Sequence, residues 1–173
     1  MDIRQTHYKL FGLPECFAVD AEALQQAYRA LQNQVHPDRY AGAGAAERRV
    51  ALQWATHVNG AFQTLREPLA RAVYLCGLRG VDAAAAVAMP TDFLMVQMEA
   101  REALEDARAL ADVDALEQLS QHGRGLRRDL IATITAQLDE QGNTEAAATS
   151  ARKLMFLEKF GDEVNAALES TEV

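Results

Sequence analysis

Between Ala21 and Val35, apolar side chains recur at Leu24, Tyr28, Leu31 and Val35, spaced by four, three and four residues. That spacing lays one stripe along an α-helix. Asp20 stands where an N-cap belongs. Pro37 stops the helix by His36, because a residue before proline is pushed out of the helical region. A second stripe follows at Val50, Trp54, Val58, Ala61/Phe62 and Leu65, and predicts a helix over residues 45–66. The residues between them, Tyr40 to Ala46, are small and include Gly42 and Gly44. Two antiparallel helices joined by such a loop would meet along their stripes. Shorter helical stretches are expected over residues 6–10, stopped by Gly12-Leu13-Pro14, and over residues 69–78, ending at Gly80.

Beyond Met89-Pro90-Thr91 the pattern predicts three longer helices, over residues 92–111, 113–140 and 144–169. Asp112 and Asn143 are their candidate caps. Gly123 and Gly125 predict a kink or break near His122. Short turns between these helices imply antiparallel neighbours, hence a three-helix bundle. The expected organisation is an all-α chain, with a first module over residues 1–80, a linker over 81–90 and a helical bundle over 91–173.

Composition agrees with packed helices. Alanine supplies many of the apolar residues and aromatics make up only 6%. No stretch of about 18 apolar residues is present, and the first residues lack the charged and apolar regions of a signal peptide. A cytoplasmic protein is therefore expected. Cys16 and Cys76 lie far apart without a CxxC pair, and two plain buried thiols are expected. The net charge of −8 is unevenly placed. Residues 1–89 carry nine Lys/Arg and eight Asp/Glu, whereas residues 90–173 carry eight and seventeen. The acidic half disfavours nucleic acid and anionic membrane as partners.

Two features carry candidate chemistry. The first is the tripeptide His36-Pro37-Asp38 in the loop between the first two long helices. Pro37 stiffens the turn, Asp38 can accept hydrogen bonds or pair with an arginine, and His36 offers two ring nitrogens. Alone, it would also serve as an ordinary helix-terminating turn. The second feature lies in the bundle. Successive helical residues turn by about 100°. With Phe93 at zero, Val96, Ala100, Ala103, Leu104, Ala107, Leu110 and Ala111 group on one face, expected to be buried. Leu94, Met95 and Met98 fall on the other side, with Glu102 and Glu105. On the last helix Leu154, Leu157, Gly161, Val164 and Leu168 form the expected core stripe, and Phe156 is turned away from it. Apolar side chains on a charged face are candidate partner contacts, and methionine suits adaptable recognition. The same residues would equally serve to close a contact between the modules. The four histidines show no ligand-set spacing, and no glycine-rich phosphate loop is present. No metal, no cofactor and no catalytic residue is expected.

The helix–His-Pro-Asp–helix arrangement, with Asn59-Gly60-Ala61-Phe62 and Leu65-Arg66-Glu67-Pro68 downstream, resembles a J-domain. The segments Pro68-Leu69-Ala70-Arg71-Ala72-Val73-Tyr74-Leu75, Phe93 to Glu102 and Arg152 to Lys159 resemble the HscB family of J-domain co-chaperones in iron–sulfur cluster assembly. That resemblance implies an N-terminal J-domain hairpin and a C-terminal three-helix bundle, and no enzymatic activity of its own. It implies docking on the DnaK-type chaperone HscA through Arg29, His36, Pro37, Asp38 and Arg39. It further implies contact with the scaffold protein IscU through Leu94, Met95, Met98, Glu99, Glu102, Asp106 and Phe156. One departure stands out. The helix before the tripeptide usually carries a basic face in J-domains, but here Gln25, Gln26, Gln32 and Gln34 surround Arg29 as its one cation. Arg48 and Arg49 lie just after the loop and could share its role. The alternatives are a J-domain adaptor for a different client, or a small enzyme using Cys16 or His36.

Overall fold

The computed structural model describes residues 3–35, 42, 44–85 and 87–171. Its described residues are all-α, in the order α1 (His7–Phe11), α2 (Ala21–Val35), α3 (Ala45–Arg66), α4 (Pro68–Leu78), α5 (Thr91–Leu110), α6 (Val113–Thr135) and α7 (Thr144–Thr171). The chain divides into two compact units, Met1–Leu75 and Cys76–Val173. The division falls inside α4, ahead of the boundary expected at residue 80.

In the first unit α2 and α3 form the expected hairpin. Asp20 caps α2, its Oδ1 accepting from the backbone N–H groups of Glu22 and Ala23. The hairpin closes over Leu24, Val35, Ala51, Val58, Ala61, Phe62 and Leu65, all buried. Tyr28 stacks on Phe62 at 4.1 Å, and its hydroxyl donates to Asn59 Oδ1. The expected position of Val50 on this stripe is not observed. Val50 is exposed and Ala51 takes its place in the core, because the stripe is rotated by one residue at its first turn. Tyr8, Leu10, Phe11 and Phe17 complete the core, with the Arg71 guanidinium 4.8 Å from the Phe17 ring. Gly12 ends α1 in the left-handed region at φ 66°, a conformation glycine adopts without a Cβ clash.

His7 of α1 lies beside two other helices. Its ring stacks on Tyr74 of α4 at 4.3 Å and meets His57 of α3 edge-on at 5.7 Å. Its backbone N–H donates to the Tyr74 hydroxyl. The His7 Nδ1 and His57 Nε2 atoms are buried without a hydrogen-bond partner. Burial holds the His7 imidazole below its ordinary pKa, and the nearby His57 adds to that shift.

In the second unit Asp112 and Asn143 cap α6 and α7 as expected, accepting from the N–H groups of Ala115 and Ala146. The break expected near His122 does not occur, and α6 runs unbroken through Gly123 and Gly125. Packing along α7 outweighs the glycine penalty of about 1 kcal/mol each. The irregularity comes later, as a π-helical turn over Ala136–Glu140. There Arg79 donates to the Leu138 carbonyl at 2.8 Å. Arg152 likewise donates to the Asp82 carbonyl at 3.0 Å, and Cys76 and Ala83 are fully buried. Part of the segment read as a linker is thus fastened to the second unit. Burial pushes the Cys76 thiol pKa up. Cys16, expected buried, is half-buried.

Candidate functional site

The seam between α5 and α7 organises the candidate site. The core beneath it contains Leu104, Ala107, Leu116, Phe160, Val164 and Ala167. The face of α5 turned to it is narrower than the pattern predicts. Phe93, Gln97, Ala100, Leu104 and Ala107 lie within about 40° of one direction and are its buried or half-buried residues. Val96, Ala103, Leu110 and Ala111, expected on that face, are exposed; Val96 is 50% and Leu110 77% accessible. Val96, Ala103 and Leu110 lie about 60° to 100° from the stripe's centre, beyond the reach of the neighbouring helices. Ala111 lies in line with it but already caps the helix in the left-handed region, at φ 49°.

The opposite face behaves as expected. Leu94, Met95 and Met98 are 40%, 58% and 62% exposed, and Phe156 is 40% exposed. Leu94, Met95, Met98, Glu99, Glu102 and Asp106 share an arc of about 140° on α5. Glu99, Glu102 and Asp106 are exposed along it. Phe156 comes from α7 and reaches this arc through Phe93, whose ring it meets edge-on at 6.0 Å and 80°. The result is an apolar patch bordered by carboxylates, a little over one turn of α5 long.

Sequence reasoning missed three supporting groups. Lys153 places its ammonium 5.5 Å from the Phe93 ring centroid. Arg101 pairs with Glu163 across the seam at 3.3 Å. Val96 and Phe93 also line a groove of about 380 Å³ together with Leu126, Leu130 and Leu157. The misplacement of Val96 on the buried face concealed that groove. A charge pairing between helices 62 residues apart leaves no periodic signal.

In the first unit, Arg29 is exposed on α2, and Arg48 and Arg49 are exposed at the start of α3. Of the expected glutamine face, Gln26, Gln32 and Gln34 are exposed and Gln25 is half-buried. His36, Pro37, Asp38 and Arg39 lie outside the described residues. The described helices end and begin on either side of them, at Val35 and Ala45. Among the described residues, no group of three or more His, Cys, Asp or Glu side chains could hold a metal ion. No helix among them is long and apolar enough to cross a membrane.

Residues 89–165 match the family model described as the HSCB C-terminal oligomerisation domain. A co-chaperone protein HscB homolog from Ralstonia nicotianae is 52% identical over 95% of this chain and 94% of its own length. The chain belongs to the HscB co-chaperone family. Solved HscB structures share its fold. Chaperone HscB from Vibrio cholerae superposes with a TM-score of 0.85 and 38% identity, over 96% of this chain and 99% of that one. Human co-chaperone protein HscB gives 0.87 and 25%, over 96% and 83%. HscB membership makes the first unit a J-domain and the chain a co-chaperone, whose partner is a chaperone of the DnaK type. The stretch matching the HscB model contains the whole of α5 and Phe156, hence every residue of the apolar patch.

Proposed function

We propose that this protein captures the iron–sulfur scaffold IscU on its C-terminal bundle and delivers it to the chaperone HscA. The J-domain then stimulates the ATPase of that chaperone through His36-Pro37-Asp38, with Arg29 and Arg39 steering the encounter. The protein itself turns over no substrate, and it works in the cytoplasm. The observation that carries this reading is the exposed patch of Leu94, Met95, Met98 and Phe156. A folded chain gains nothing by leaving four large apolar side chains of α5 and α7 in water, and such a patch suits a partner surface. Glu99, Glu102 and Asp106 at its edge favour a partner with basic residues around an apolar centre.

Holding both proteins at once makes the scaffold's encounter with the chaperone intramolecular. Effective concentrations for such tethering reach roughly the millimolar range. Capture and hydrolysis are then coupled by linkage, and the energy of ATP gives the cycle its direction.

The test separates the two halves. HscA ATPase is measured with and without IscU, and IscU binding is measured by calorimetry. His36→Gln is expected to abolish stimulation while IscU binds as before. Leu94→Ala with Phe156→Ala is expected to weaken IscU binding by at least about 30-fold and to leave the basal stimulation in place. Failure of the unaltered protein to bind IscU would redirect the reading to a different client. Substrate turnover by the purified protein, lost on Cys16→Ser, would contradict its assignment as a non-enzyme.

A further inference from the structure

The N-terminal half of α5 carries the patch, yet few core side chains hold that half in place. Upstream of Leu104, the one buried side chain is the polar Gln97. By contrast α7 buries Ala147, Ala148, Ala151, Leu154, Leu157, Phe160 and Val164. Leu104 and Ala107 anchor the C-terminal half of α5 in the core, so its N-terminal half relies on contacts nearer the surface to hold it against α7. The patch needs α5 and α7 in one fixed relation, because Phe156 comes from α7 and the rest from α5.

Two contacts supply that relation. Phe93 sits between two side chains of α7 that are three residues apart. The Lys153 ammonium lies 5.5 Å from its ring centroid, and the Phe156 ring meets it edge-on at 6.0 Å. Both lie within the ranges for cation–π and T-shaped aromatic contacts. Further along, Arg101 reaches Glu163 with both guanidinium nitrogens, Nη1 to Oε2 at 3.3 Å and Nη2 to Oε1 at 3.4 Å. This fork resists twisting as a single point contact would not. From Phe93 to Arg101 is about 12 Å along α5, and from Phe156 to Glu163 about 10.5 Å along α7. The two clamps are in register along parallel helices.

We propose that Phe93 and the Arg101–Glu163 pair are positioning residues for partner binding. They hold the N-terminal half of α5 against α7 so that Leu94 and Met98 present one surface with Phe156. This inference rests on the scaffold-capture reading above. It adds residues that the partner need not touch. Their contribution comes from removing the side-chain and helix freedom that binding would otherwise have to freeze.

The experiment measures IscU binding to the full chain by calorimetry, alongside the rotamer populations of Phe156 in the free protein by NMR couplings. Phe93→Leu is expected to weaken binding about three- to tenfold and to average the Phe156 rotamers. Phe93→Tyr keeps the ring and is expected to match the unaltered protein in both readouts. Arg101→Glu is expected to weaken binding, and adding Glu163→Arg to restore it within about twofold by re-forming the pair in reverse. Restoration distinguishes positioning from direct contact, since a partner touching Arg101 would not accept glutamate there. Binding by Phe93→Leu equal to that of the unaltered protein, or a reversed pair no better than Arg101→Glu, overturns the proposal. Leu94→Ala is the control. If it loses binding while Phe93→Leu does not, the positioning claim alone fails. If the unaltered protein binds no IscU, the functional reading fails and takes this one with it.

Discussion

The two units place their aromatic side chains in opposite ways. In the J-domain Tyr8, Phe11, Phe17 and Phe62 are buried, and Tyr28, Trp54 and Tyr74 are half-buried against them. In the C-terminal unit Phe160 is buried, but Phe93 is half-buried and Phe156 is exposed. That bundle is instead closed by small and aliphatic residues, including Ala107, Ala147, Ala148, Ala151 and Ala167 with Leu104, Leu116 and Leu154. Small residues let helices approach closely without large side chains between them. The first unit uses its rings for cohesion. The second coheres without most of its rings and leaves Phe156, with Met95 and Met98, exposed to solvent.

If this contrast holds, the largest stability losses come from the aliphatic core of the bundle. Leu154 is fully buried. Leu154→Ala is expected to cost about 2–5 kcal/mol in chemical denaturation followed by circular dichroism. Phe156→Ala on the same helix should change stability by less than about 1 kcal/mol, since its ring is partly solvated already. A loss at Phe156 as large as that at Leu154 would erase the distinction between cohesive and presented side chains.

The J-domain rings make a pH-dependent prediction. Burial lowers the folded-state pKa of His7, while in the unfolded chain it returns to about 6.5. The stability contributed by the neutral ring is therefore present above about pH 6.5, and is lost as pH falls through the folded value. The titratable groups facing it are His57 of α3 and the Tyr74 hydroxyl of α4. Trp54 is the single tryptophan and lies 5.8 Å from the His57 ring, so its fluorescence reports unfolding of this unit. Between pH 8 and pH 5, the unaltered protein should lose stability more steeply than His7→Phe, which keeps the stack on Tyr74 without the proton. Equal slopes would place the acid sensitivity elsewhere.

The smallest effect concerns the end of α5. Ala111 caps that helix at φ 49°, where a Cβ is strained. Ala111→Gly is expected to stabilise the bundle by about 1 kcal/mol, read as a higher denaturation midpoint, and to leave partner binding unchanged.

Helix limits were legible because local residues encode them. Asp20, Asp112 and Asn143 each cap the helix they precede, and α2 and α3 run over the ranges their stripes predict. The apolar patch was legible too, since Leu94, Met98 and Phe156 break the periodicity of their own helices. What the pattern missed is tertiary. Gln97 is polar yet buried, and Val96 is apolar yet exposed, because the width of the buried face depends on how far α6 and α7 reach around α5. The clamps at Phe93 and Arg101 join residues 60 or more positions apart, and only the packed bundle brings them together. Gly123 and Gly125 misled for the same reason, since packing against neighbouring helices keeps α6 helical through them.

Under the proposed function, one chain carries two separable surfaces, one for the chaperone and one for the client. The most direct measurement is IscU binding by calorimetry for three proteins: unaltered, His36→Gln, and Leu94→Ala with Phe156→Ala. Two separable surfaces require equal affinity for the first two and a loss of at least about 30-fold for the third. Loss of binding in the His36→Gln protein, or its retention in the double variant, would contradict that separation.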